Sequence, residues 1–522
     1  HINNALPTQQ DTIISYYTYP VGSSLFIYFF TTIVGFSEGS MLVGQFFLIA
    51  SSLYAMFAAL RDDRRVLMVS MIFASFAVFN TFNVAIRLNN LLVDFLLPAL
   101  ALAAIAGCFV YRNRFWFLSL NTAVILGLLS IVKVSGLFFV ALVLVVYVVC
   151  IVRLLVRKRA RLKALVLLIM TLLVSCLPFV IWQKHVTDNF PNASSAKHAV
   201  SMSELDQVLT GNLSGDPQKI ITLFVKSVFT FDSLASNGIL IINLIMLIAF
   251  IVIGIRLKYK KFVLLTWGFV DISIVTYYIG ILLMYLTAMP TDEALELAGF
   301  ERYASSIVIF AFGCLTMALA WVMDKCLYEK IISKRNARSY KSLFNKHLYQ
   351  YASLVLTVYA IGMFLSENNS IVYNNNQETN KVVKEIHQFT GSQSNSSTDR
   401  ILVVTADKEN VDNYFVQYAS RYYLWDVNVD ARENFVSVDQ EFLDLMASYS
   451  DSSTSYYLGN ENIDTRDGSN LTDDDFIALL KTYDEVLILD DHYTFNALTK
   501  KLFGRTYSPG LYKVSDILAG KG

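Results

Sequence analysis

Charge is scarce in this chain. Of its 522 residues, 16% are charged and 55% hydrophobic, whereas a soluble protein carries about 25% charged and about 45–50% apolar residues. That deficit excludes a wholly soluble fold. Cysteine is sparse too: Cys108, Cys150, Cys176, Cys314 and Cys326 all lie in or at the ends of apolar segments. The chain beyond them folds without disulfides, and no Cys-x-x-Cys pair offers a metal site. A cysteine-free exported region suits a bacterial envelope. No Gly-x-Gly-x-x-Gly or Walker loop occurs, so nucleotide binding has no support. Neither an internal repeat nor paired Gly/Pro-interrupted spans of the transporter kind are evident.

What the chain has is a rhythm. Ten apolar stretches of spanning length read at about 40–60, 65–84, 91–111, 115–132, 134–152, 164–182, 236–255, 262–285, 303–324 and 348–365. Basic residues collect on alternate loops. Loops 61–65, 112–114, 153–163, 256–261 and 325–347 hold 22 Lys and Arg, and the intervening loops 81–90, 132–135, 182–235 and 286–302 hold 7. The positive-inside bias makes the basic set cytoplasmic and the other set external. The basic face is a rim beside anionic lipid, not a nucleic-acid surface. Residues 19–35 are apolar and aromatic but short, and a crossing there would reverse the next span relative to Arg61, Arg64 and Arg65. They read as an interfacial or re-entrant helix on the outer membrane face. His1 opens a polar stretch on the outside with no signal peptide, so at least one upstream span is expected.

The expected domains are residues 1–39, the end of an outer loop with its juxtamembrane helix, and 40–365, a transmembrane bundle. A polar linker at 366–380 precedes an external α/β domain at 381–522. After residue 380 there are 23 Asp and Glu against 13 Lys and Arg. Candidate strands Ile401–Thr405, Tyr422–Val427, Ser455–Leu458, Glu485–Leu489 and Leu511–Val514 alternate with helical stretches, which predicts a largely parallel sheet. No cofactor is implied with certainty. A divalent cation is a candidate ligand of Asp473–Asp475 or of Asp490 and Asp491, but the first cluster reads better as an acidic helix N-terminus. His185, His198, His387 and His492 lack ligand spacing and read as surface histidines.

Ionisable residues at membrane depth or at the mouth of a bundle are expensive, so each is a functional candidate. Arg87 and Asp94 bracket Asn89 and Asn90. Lys133 sits in the tight turn Val-Lys-Val-Ser-Gly, Asp271 lies inside the eighth span, and Glu301, Arg302 and Tyr303 open the ninth. Two or three cations at one mouth could hold a phosphate, Arg in bidentate fashion. Structural alternatives stand beside these. Lys133 and Arg302 could snorkel to the headgroups, Asp94 could cap its helix, and Asp271 could be a buried structural residue.

The segment Tyr17-Thr-Tyr-Pro-Val-Gly-Ser-Ser-Leu-Phe-Ile-Tyr28 resembles the Tyr-Pro-Pro-Gly element of the polytopic GT-C glycosyltransferases, which include the bacterial aminoarabinose and mannosyl transferases. That element follows the first outer loop as a juxtamembrane helix. Arg87-Leu-Asn-Asn-Leu-Leu-Val-Asp94 resembles the family's next outer loop, Lys133-Val-Ser-Gly its Lys-x-x-Gly turn, and Phe-Glu-Arg-Tyr303 its late Arg-Tyr element. The likeness extends over residues 1–365 in layout. Val21 replaces the second proline, and no proline follows Tyr303.

The resemblance implies a mostly helical GT-C-like transmembrane bundle in the bacterial plasma membrane. It implies inverting transfer of a sugar from a polyprenyl-phosphate donor to a cell-envelope glycan or lipid acceptor. Arg302, Lys133 and Arg87 would bind the donor phosphate. Tyr19, Pro20, Tyr28, Asn90, Asp94, Glu301 and Tyr303 would line the substrate pocket. The family's catalytic acid is expected upstream of residue 1; Asp11 and Glu301 are the candidates within the chain, and Glu38 is the other acid near its start. The alternatives are a flippase for lipid-linked saccharide and a non-enzymatic envelope assembly protein.

Overall fold

A computed structural model describes residues 5–8, 18–60, 65–83, 90–158, 161–190, 217–256, 258–326, 340, 342–377, 381–390, 399–426, 428–435 and 471–520. The chain divides into two compact units, 7–371 and 372–522, the latter with the first six residues. The protein is mostly helical.

In the first unit the helices are α1 (Gly22–Val34), α2 (Glu38–Ala55), α3 (Val66–Phe82), α4 (Leu96–Tyr111), α5 (Phe115–Ser130), α6 (Gly136–Lys158) and α7 (Arg161–Asn189). They continue with α8 (Pro217–Phe229), α9 (Leu234–Ala249), α10 (Lys260–Thr287), α11 (Thr291–Leu295), α12 (Phe300–Cys326) and α13 (Leu343–Gln377). Among the described residues, seven helices are long and apolar enough to cross a membrane: those beginning at Glu38, Gly136, Arg161, Leu234, Lys260, Phe300 and Leu343. This is a multi-pass membrane protein. Ten full-length spans were expected; α3, α4 and α5 are 16–17 residues long, short of the roughly 20 a free span needs. Of these, α4 sits at the centre. Thirteen residues of α4 are buried, including Leu96–Cys108 without interruption, and α12 is the most enclosed of the long helices.

Their ends are shortened for specific reasons. The stretch 91–95 expected in the fourth helix stays irregular because buried Gln45 donates Nε2 to the carbonyls of Asn90 (2.8 Å) and Leu92 (3.2 Å). Helix α5 stops at Ser130, where the carbonyl of Ile131 accepts the Gly22 N–H at 2.6 Å. The apolar segment expected at 19–35 is helical over Gly22–Val34, as α1. The polar stretch after Ser366 is helical through Gln377 rather than an irregular linker. A helix already nucleated by an apolar span extends through poor formers at little cost.

The second unit contains a four-stranded sheet in the order β2-β1-β3-β4: β1 (Ile401–Val404), β2 (Val429–Arg432), β3 (Glu485–Ile488) and β4 (Gly510–Lys513). Strands β2, β1 and β3 are parallel; β4 is an antiparallel edge. Every residue of β1 is buried because both its faces are covered. Leu402 and Val404 pack with Phe435, Phe476 and Phe495, while Ile401 and Val403 pack with Val382, Ile386, Val416 and Val429. The strand expected at 422–427 is a correction. Tyr422 to Leu424 close the helix Phe415–Leu424, Trp425 ends it at φ 55°, and the strand begins at Val429. The aromatic run has strand propensity, but the 415–424 segment is amphipathic at helical spacing. Strand candidate 455–458 lies outside the described residues.

Candidate functional site

The site grows from three helix ends that the chain brings to one place. Asp94 lies just before α4, Lys133 in the turn between α5 and α6, and Arg302 in the first turn of α12. Lys133 Nζ donates to Asp94 Oδ1 at 2.7 Å, and Arg302 Nε stands 3.7 Å from Asp94 Oδ2. The Asp94 side chain is 5% exposed, Lys133 20% and Arg302 31%. Ser306 donates its hydroxyl to the Asp94 carbonyl at 3.2 Å, tying α12 to the start of α4.

Tyr303 completes the group. Its ring lies 5.1 Å from Lys133 Nζ and 4.9 Å from Arg302 Cζ, and Arg302 Nη2 donates to its hydroxyl at 2.9 Å. An aromatic face beneath two cations offsets part of their mutual repulsion. The cluster nets one positive charge from two cations and one carboxylate. Neither Lys133 nor Arg302 therefore snorkels alone, and Asp94 does not cap α4, whose N-cap is Phe95 without a side-chain bond.

The Tyr-Pro-Val-Gly element reaches the same place. Gly22 opens α1 and its N–H bonds Ile131, two residues before Lys133. A Cβ on Gly22 would lie 2.8 Å from the Ile131 carbonyl oxygen, so only glycine permits this approach. Pro20 is buried, and half-buried Tyr19 is within electrostatic range of Arg302. Gly136 has a similar constraint in the Lys133 turn, where a Cβ would meet the Leu129 carbonyl at 2.7 Å. The two glycines set how closely α1, α5 and α6 converge beneath Lys133.

An open cavity of about 770 Å3 adjoins Arg302 and Tyr303; Asp232, Glu293, Glu296 and Glu301 also line it, and Lys133 and Asp94 are not among its described lining residues. Glu301 is not a free base there. Its Oε1 accepts the Ala235 N–H at 2.8 Å, in the first turn of α9, a favourable place for a carboxylate. Tyr28 is half-buried farther along α1, and Asn90 is exposed, its Oδ1 turned to the Leu92 N–H. Arg87 and Asp11 lie outside the described residues. Glu38 is exposed in the first turn of α2. Asp271, half-buried in α10, sits beside Trp267 and Asn243, which bond each other at 2.8 Å.

Sequence reasoning missed Asn83, Ser305, Ser306 and Gln45. All four are buried polar residues in otherwise apolar helices or at their ends, which is the signal that could have found them.

The second unit holds fewer candidates than expected. Among the described residues, no group of three or more His, Cys, Asp or Glu is arranged to hold a metal ion. Asp475 forms a capping box with Thr472, whose hydrogen bonds hold its carboxyl below the usual range, and Asp473 pairs with Lys501 at 3.0 Å. Asp490 accepts from the Thr405 hydroxyl at 2.7 Å and from the Ala406 N–H, joining the ends of β1 and β3. His492 corrects the expectation of a surface histidine. It is 1% exposed, pairs through Nε2 with the Glu433 carbonyl at 2.9 Å, and accepts the Phe495 N–H at Nδ1 as an N-cap. Burial pushes it below the ordinary histidine pKa of 6.5. His185 contacts the Pro7 carbonyl at 3.0 Å and stacks on Trp182, and His198 lies outside the described residues.

No protein-family profile, curated protein or solved structure matches the chain.

Proposed function

We propose that this protein is an outward-facing GT-C-type glycosyltransferase. It moves a sugar from a polyprenyl-phosphate donor to a cell-envelope glycan or lipid acceptor, with inversion. One observation carries the reading: Lys133 and Arg302, remote in sequence, meet over Asp94 and Tyr303, and Arg302 and Tyr303 also line an open cavity, with the Tyr-Pro-Val-Gly helix docked on the Lys133 turn. A fixed cation in the wall of a cavity, backed by a second, is what a leaving lipid phosphate requires, since charge that develops there meets a donor already in position. Asp94 sets the two cations without cancelling them. A carboxylate acts as general base on the acceptor hydroxyl.

In this reading the short helices α3–α5 cross together with the seven long ones. The loops carrying the cluster face outward, the basic loops face the cytoplasm, and the second unit lies outside the bacterial plasma membrane. Membrane lipids and the lipid-linked sugar are its partners.

The test is transfer of radiolabelled sugar from polyprenyl-phosphate donor by the full-length protein and its Arg302→Ala variant. The expected result is transfer by the parent and a loss of at least about 100-fold in the variant, the scale seen when one preorganised charge donor is removed. No transfer from any donor by folded parent protein would sink the reading in favour of a flippase or assembly role.

A further inference from the structure

We propose that the cluster encloses one ordered water molecule through which Asn83 and Ser305 hold Arg302 in place. The inference stands on geometry alone and does not depend on the enzymatic reading. Between the end of α3 and the first turns of α12 lies a void of about 10 Å3, lined by Asn83, Asp94, Arg302, Ser305 and Phe82 among others. That is at the lower limit of the room one water needs. Asn83 is 3% exposed and Ser305 4%. Asn83 Nδ2, Ser305 Oγ and Arg302 Nε are buried and have no hydrogen-bond partner among the described residues.

Three such atoms around one space is a cost few folds retain, because a buried polar group left without a partner loses its hydration with nothing in return. Phe82, Phe95 and Ile309 wall part of this space, but Asn83, Asp94, Arg302, Ser305 and Ser306 also line it, and they supply the polar partners a buried water needs. The 3.7 Å separation of Arg302 Nε and Asp94 Oδ2 is too long for a direct bond, and it is the kind of spacing a bridging water fills. The complement fits one water in both directions. It accepts from Asn83 Nδ2 and Arg302 Nε, and it donates to Asp94 Oδ2 and Ser305 Oγ. A halide fits poorly, because the Asp94 carboxylate faces the void and the space is too small.

The consequence is positional. Arg302 lines both this void and the open cavity. Fixing its Nε on the buried side orients the guanidinium edge on the open side. Asn83 and Ser305 are positioning residues acting through the water.

The experiment is a structure of the full-length protein at a resolution that shows ordered solvent, together with the melting midpoints of Ser305→Val, Ser305→Thr and Ser305→Ala. The expected result is a single peak within about 2.7–3.2 Å of Asn83 Nδ2, Ser305 Oγ and Arg302 Nε. Ser305→Val and Ser305→Ala lower the midpoint, and Ser305→Thr keeps it near the parent value. Should valine not fit, the alanine variant alone carries the sign. An empty void, a side chain filling it, an anomalous peak after bromide exchange, or a midpoint that rises in Ser305→Ala would each overturn the proposal.

Discussion

Lys133→Ala should destabilise the protein more than Asp94→Asn, although both break the same 2.7 Å ion pair. The difference lies in what each substitution strands. Lys133→Ala leaves a carboxylate that is 5% exposed, with only the guanidinium at 3.7 Å to answer it. Asp94→Asn leaves an ammonium that is 20% exposed and can turn to solvent, and the new amide still accepts a hydrogen bond. The gross attraction at this separation is about 6 kcal/mol at an effective dielectric of 20, but desolvation of both ions cancels most of it. Stranding one member of a buried pair costs about 3–5 kcal/mol. Arg302 remains beside Asp94, so Lys133→Ala belongs near the lower end, about 3 kcal/mol. Rehydration brings Asp94→Asn down to about 1–2 kcal/mol. The assay is thermal unfolding of the detergent-solubilised full-length protein, with the double variant completing the cycle. The double variant should cost less than the sum of the singles by at least about 1 kcal/mol. If Asp94→Asn costs as much as Lys133→Ala, or the two effects simply add, the described ion pair is not the one that holds these helix ends.

Other consequences are sharper in direction than in size. Gly22→Ala puts a methyl against the Ile131 backbone at 2.8 Å, so either α1 or the Lys133 turn must move, at about 1–3 kcal/mol. The change should appear as faster hydrogen exchange at residues 131–136. Thr472→Ala removes one half of the capping box and should cost about 1 kcal/mol, read as faster exchange in residues 473–481. His492 has a depressed pKa when folded, so the unfolded chain binds its proton first as pH falls. The stability it contributes is complete above pH 6.5 and declines below it. Proteolytic resistance of the second unit should fall as pH drops from 6.5 towards 5, and His492→Gln should flatten that decline.

Much of the bundle is legible because lipid imposes simple rules. Apolar runs located the helices, and the alternation of Lys and Arg separated the loops bearing Lys133 and Arg302 from those bearing Arg112 and Arg153. What local pattern does not contain is partnership. Asp94 drew attention beside Arg87, yet its described partners are Lys133 and Arg302, met only when α4, α6 and α12 pack. The burial of His492 depends on Glu433, on a different strand connection, which no local spacing reveals. The 422–427 strand failed because Tyr422, Tyr423 and Trp425 favour strands in isolation while the preceding residues bury one helical face. The Gly of the Tyr-Pro-Val-Gly element was visible as a motif. Its physical reason, contact with Ile131, was not.

The most direct test of the central claim is binding of polyprenyl phosphate, without sugar, to the full-length protein in lipid nanodiscs. It would be compared with phosphate-free polyprenol and with the Lys133→Gln/Arg302→Gln double variant. The account predicts that the parent binds the phosphate-bearing lipid in preference to polyprenol, that salt weakens this binding, and that the double variant loses the preference. A control at the opposite end of the bundle, Lys163→Gln, should retain it. Equal binding of both lipids by the parent, or an undiminished preference in the double variant, would contradict the assignment of Lys133 and Arg302 as the phosphate site.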